Sequence, residues 1–256
     1  METLLWLAWA TANVLTLNVF AAPHQGTGST ASVLIGVEAD RARALDLRYE
    51  IDGALVRTVS AGARHVLTRH PLPPGNHRLV IHATDPATGR TASITSGVDV
   101  PDLTHGLSRL AMSEALLTAS RVTGQAVTDD EHDGALPVLG LPPTARRTFA
   151  RDEQLEVHAE FYEQPAQLEF DTQLTVMTRL LAEDGTVVFE TKDTGSSEAL
   201  TGNRWGYAHS ALVPIATLEP GRYVLQVIGE TLYDVPASAA RSIPITLIAT
   251  PSENIR

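Results

Sequence analysis

The sequence predicts an all-β protein of two tandem β-sandwich domains, on three observations. Apolar side chains recur at every second residue in several short runs, Asp-Gly pairs directly follow such runs, and one turn-and-strand pattern occurs twice. A period of two places alternate side chains on opposite faces of a strand, so each run has a face that can be buried.

In the first half, Val33-Leu34-Ile35-Gly36-Val37 is a continuous apolar run, as expected of a central strand. Leu45, Leu47, Tyr49 and Ile51 then alternate with Asp46, Arg48, Glu50 and Asp52. Asp52-Gly53 is a turn pair that tolerates positive φ, and residues 54–59 return as the hairpin partner. Leu79, Ile81 and Ala83 mark another strand, and residues 90–100 supply the last before Pro101.

In the second half, Leu155, Val157, Ala159 and Phe161 alternate with Glu156, His158, Glu160 and Tyr162. Residues 173–182 read as a strand, Asp184-Gly185 as a hairpin turn and residues 186–191 as its return. Residues 205–214, 222–229 and 241–248 complete the set. Pro244 lacks a backbone donor, which puts the final strand at a sheet edge. Residues 108–120 read equally as strand or helix.

The halves resemble each other. Leu72-Pro73-Pro74-Gly75-Asn76-His77-Arg78-Leu79 aligns with Leu218-Glu219-Pro220-Gly221-Arg222-Tyr223-Val224-Leu225, which places His77 opposite Tyr223. The upstream turns correspond as well, Asp52-Gly53 to Asp184-Gly185. Between turn and repeat, Gly53 to Gly75 spans 22 residues and Gly185 to Gly221 spans 36, so the second copy carries about 14 extra residues, best placed at 193–203. Two diverged copies of one β-domain account for these matches. Each copy has about seven short strands, which is the immunoglobulin or fibronectin-III-like sandwich signature. The expected boundaries are a leader at 1–13, a first sandwich at 14–101, a linker at 102–107, a second sandwich at 108–250 with a long loop at 120–146, and a tail at 251–256.

Composition narrows the function. The formal net charge of −11 repels phosphate backbones, so nucleic acid is not an expected partner. The absence of cysteine removes disulfides, thiolate zinc sites and cysteine nucleophiles together. Residues 1–22 are compatible with a first strand behind a short leader, or with a signal peptide lacking a basic n-region; Asn13, Thr16 and Asn18 argue against a membrane span.

Several segments resemble one family in order. They are Val19-Phe20-Ala21-Ala22-Pro23, residues 31–38, Pro73-Pro74-Gly75, Val98-Asp99-Val100-Pro101-Asp102 and Leu110-Ala111-Met112-Ser113. Arg146-Arg147-Thr148-Phe149, residues 155–162 and Pro220-Gly221-Arg222-Tyr223 follow. Together they are similar to the β-domain region after the A-type domain in acidobacterial von Willebrand factor A-related (VWFA-related) exported proteins. That resemblance implies export, to the periplasm or outside the cell, and an interaction role. The Asp-x-Ser-x-Ser metal signature of the A-type domain is absent, so no adhesion metal site carries over.

The chemical motifs are sparse. Asp193-Thr194-Gly195 matches an aspartic-protease turn, with Val227-Ile228-Gly229 as its possible support, but that chemistry needs two carboxylates sharing a proton and hence a homodimer. An exposed loop within the insertion is the plainer reading. Asp129-Asp130-Glu131-His132-Asp133 has adjacent rather than alternating acids, which suits a solvated loop better than a calcium site. The nine histidines form no close ligand pair, and His77 is expected to pack as Tyr223 does. Trp205, Tyr207 and Tyr233 are the candidate ligand surface, for sugar or protein. The expectation is a non-catalytic extracytoplasmic spacer or protein-interaction module with no cofactor, no metal and no catalytic residue. A carbohydrate-binding accessory module is the alternative.

Overall fold

A computed structural model describes residues 15–26, 29–103, 110–122, 124–128, 139–163, 173–196, 198–200, 204–231 and 236–250. The first module is built from β1 (Leu17–Gln25), β2 (Ala31–Ala39), β3 (Leu45–Ile51), β4 (Ala54–Ala61), β5 (His65–Leu72), β6 (Gly75–Thr84) and β7 (Thr91–Val100). One sheet has the order β1-β2-β5 and the facing sheet β4-β3-β6-β7. The fourth strand therefore lies beside the third, unlike an immunoglobulin constant domain, where it pairs with the fifth.

The period of two explains the core. Leu45, Leu47, Tyr49 and Ile51 of β3 point inward with Leu79, Ile81 and Ala83 of β6, and meet Val33, Ile35 and Val37 of β2. Asp52 and Gly53 have φ of 53° and 82°, which only a tight primed hairpin turn asks for, and Ile51 pairs with Ala54 across it.

The second module uses β8 (Leu110–Met112), β9 (Leu116–Ala119), β11 (Pro143–Thr144), β12 (Thr148–Ala150), β13 (Leu155–Glu163), β14 (Gln173–Ala182), β15 (Val187–Ser196), β16 (Glu198–Leu200), β17 (Arg204–Val213), β18 (Gly221–Thr231) and β19 (Ala237–Ile248). Its sheets have the orders β11-β9-β13-β17-β16, with β8 also on β13, and β12-β19-β18-β14-β15. A separate core forms from Leu155, Val157, Ala159 and Phe161 against Val176, Leu180, Leu225, Val227 and Ile245. Residues 108–120, ambiguous in sequence, contribute strands where they are described. Among the described residues the helical structure is one 3₁₀ turn, Ile215–Thr217.

Three features differ from the sequence reading. Gln125–Thr128, inside the expected loop at 120–146, is a strand, β10, that pairs in parallel with β5 and so extends a sheet of the first module. The described residues of the insertion at 193–203 are strand as well: Asp193–Ser196 continues β15, and β16 pairs antiparallel with β17. The final strand is an edge only in part, because β12 joins it at Thr246–Ile248 while Pro244 has no ladder partner on that side.

Candidate functional site

Two constellations stand out. The first surrounds Asp193 at the far end of β15. Tyr207 on β17 donates its hydroxyl to Asp193 Oδ2 at 2.5 Å, and Asp193 Oδ1 accepts the backbone N–H of Thr194 at 2.9 Å. The ring of Tyr207 lies where a Cβ on Gly195 would stand, 2.0 Å from that position, so the glycine of the Asp-Thr-Gly run admits an aromatic ring. His209, two residues along the same strand, places Nδ1 3.8 Å from Asp193 Oδ2 and Nε2 2.8 Å from Thr178 Oγ1.

The order of these groups imitates a hydroxyl-imidazole-carboxylate triad, but its environment is that of packing. Thr178 is 0% exposed inside the sandwich, out of reach of a substrate carbonyl. Tyr207 and the other donors hold the Asp193 carboxyl below the usual carboxylate range, as an acceptor engaged within its own chain. Burial likewise pushes the His209 imidazole down, against the pull of Asp193. Val227-Ile228-Gly229 lies in β18, where Gly229 makes room for the ring of Phe161 rather than supporting an Asp-Thr-Gly turn.

Of the predicted ligand surface, Tyr207 is thus half-buried and committed to Asp193. Trp205 pairs through its backbone with Ala199 of β16, and Tyr233 lies outside the described residues, as does the acidic run at 129–133. Among the described residues no cluster of three or more His, Asp or Glu side chains could hold a metal ion.

The second constellation is the junction between the modules. On β13 the residues that alternate with the core row, His158, Glu160 and Tyr162, are all buried, and the first module reaches Glu160 and Tyr162. Tyr162 donates to Glu160 Oε2 at 2.5 Å and accepts the backbone N–H of Gln25 at 3.1 Å, while His24 Nδ1 lies 3.4 Å from Glu160 Oε2. Glu160 is 2% exposed, so the carboxyl relies on these partners. Beside this group, Thr144 donates to Glu38 Oε2 at 2.9 Å. Arg146 reaches both Glu38, at 3.8 Å, and Glu153, at 2.7 Å.

Apolar packing completes the contact. Phe20, Ala22, Leu34 and Leu67 from the outer face of the first module's sheet meet Leu116 and Ala145 of the second. This explains why Val33 to Val37 is apolar at every position: β2 is covered on both faces. Phe20 also lies over Gly36, its cross-strand partner, where a Cβ would come within 2.1 Å of the ring. Sequence reasoning missed this junction. The one available signal was β2 itself, with no polar face to turn to water.

A cleft of about 240 Å³ runs along the same seam, lined by Phe20, Glu114, Leu116, Arg147 and Pro244. Among the described residues no helix is long and apolar enough to cross a membrane.

No known family profile matches the chain, and no curated protein matches it. Among solved structures it is similar to fibronectin(III)-like modules of Clostridium thermocellum CbhA, at 12% identity over 88% of this chain and 90% of that one, with a TM-score of 0.26. It is also similar to the central fibronectin-III array of RIM-binding protein, at 17% identity over 90% and 98%, with a TM-score of 0.22. The strand orders themselves place both halves in the all-β, immunoglobulin/fibronectin-III-like class.

Proposed function

We propose that the chain is a non-catalytic extracytoplasmic spacer and protein-interaction module that works alongside a VWFA-related exported protein. The observation that carries this reading is the buried junction. A spacer has to hold its ends at a fixed relation, and a linker of flexible residues cannot do so. Here β10 crosses to the other module's sheet, and Glu160, Tyr162, His24 and Gln25 are joined in a largely buried contact. Of the polar groups that look chemically capable, Thr178 and His209 are hydrogen-bonded to each other inside the second module, and Asp193, at its surface, is held by the hydroxyl of Tyr207. Sandwich domains support unrelated functions, so the partner is argued from the sequence resemblance alone.

The test is association and location. The product of an adjacent reading frame carrying an A-type domain should co-migrate with this chain in size-exclusion chromatography, and the chain should appear in the periplasmic or secreted fraction. Retention in the cytosol, together with separate migration, would overturn the reading.

A further inference from the structure

His77 occupies the place of Tyr223 in the repeat, and the structure shows what it does there. Tyr223 donates its hydroxyl to the carbonyl of Glu219, four residues upstream, at 2.7 Å. This is the tyrosine corner of a sandwich, pinning the turn before a strand to the strand's start. In the first module His77 Nε2 lies 2.9 Å from the carbonyl of Pro73, also four residues upstream. Its other nitrogen, Nδ1, lies 2.8 Å from Asp52 Oδ2, in the turn between β3 and β4.

Both partners are acceptors. A neutral imidazole has one N–H and satisfies only one of them, whereas the imidazolium donates to both. Asp52 is fixed for the purpose: its N–H donates to Arg78 O at 2.9 Å, and its Oδ1 accepts the Arg78 N–H at 2.8 Å. We propose that the first module closes this corner with a doubly protonated His77, a proton-dependent clasp joining the β3–β4 turn to the turn before β6.

The surroundings support the charged form. Among the described residues Asp52 is the charged group that acts on His77; its bond raises the imidazole's affinity for a proton, the Pro73 carbonyl adds to it, and partial burial opposes both. Across β7 the residue opposite His77 is Val98, which brings no charge. The second module lacks such a link, because Asp184 accepts from Thr186 within its own hairpin.

A folded-state affinity raised above the unfolded value of 6.5 stabilises below that pH. The gain is lost as pH rises through the folded midpoint. His65 and His70, in the same module, titrate in the opposite sense, so a global melt would mix the signals and a local readout is needed.

The experiment is an NMR titration of the His77 ring in the full chain, with hydrogen exchange of the Arg78 amide corrected for its intrinsic rate. The expected result is a His77 midpoint above 6.5 that falls in Asp52→Asn, with Arg78 protection dropping as pH rises through it. In His77→Tyr the corner has a single donor, and the pH-dependent loss of protection should vanish. A wild-type midpoint at or below 6.5, or the same Arg78 pH dependence in His77→Tyr, would overturn the clasp.

Discussion

In the second module a phenol closes the corner before β18 and serves one acceptor, the carbonyl of Glu219; in the first an imidazole closes the matching corner and serves two, Pro73 and Asp52. The difference extends inward. The first module buries His65 at 0% exposure and His70 at 5%, the latter 3.1 Å from Thr68 Oγ1 and against the ring of Tyr49. Burial pushes both imidazoles down to about 4, and pushes the Tyr49 phenol up to about 12. In the second module His209 is shifted the same way, but Asp193 opposes the shift. One strand plan thus tolerates different polar chemistry in its two copies, and proton uptake should tell them apart.

The largest expected effect is the acid response. His65 and His70 are neutral in the folded first module and become charged in the unfolded chain as pH falls below 6.5. Each lowered affinity therefore removes stability as pH falls from 6.5 to about 4, by about 3 kcal/mol per group at the end of that window. Amide exchange resolved by module should show the first opening well before the second between those limits. Equal losses in both would break the comparison.

A smaller effect is expected at the seam. Glu160→Ala leaves Tyr162 and His24 buried without their shared carboxylate and should cost about 3 kcal/mol. Urea unfolding followed by probes in each module should then split into two separate transitions. A single transition at the original midpoint would show that the modules do not depend on this contact.

The smallest sharpens the corners. Tyr223→Phe removes one hydrogen bond and should cost about 1 kcal/mol, equally at pH 5 and pH 8, since no imidazole is involved. Thermal unfolding at the two pH values checks this, and a loss confined to one of them would contradict the assignment.

Much of the fold was legible in the sequence because alternation and turn chemistry are local. Leu45 to Ile51 and Leu155 to Phe161 announce their inner faces, and Asp52-Gly53 requires a turn that few other pairs allow. The aligned Pro-Gly turns located both corners, and even the exchange of His77 for Tyr223. What stayed hidden is what depends on a distant partner. A strand of four residues, Gln125–Thr128, carries no alternation long enough to register, and it exists because β5 offers an open edge. The row of His158, Glu160 and Tyr162 has the polarity of a solvent face, and a period of two does not distinguish water from a polar interface. For the same reason Asp193 resembled part of a catalytic turn, when its carboxylate is held by a tyrosine from another strand.

The central claim, that the two sandwiches form one rigid tandem through a buried seam, is tested most directly by residual dipolar couplings measured across the intact chain. Couplings from β2–β7 and from β13–β19 should fit a single alignment tensor with the geometry described above. Two tensors of different magnitude and orientation would mean that the modules move independently, and the spacer reading would fall with them.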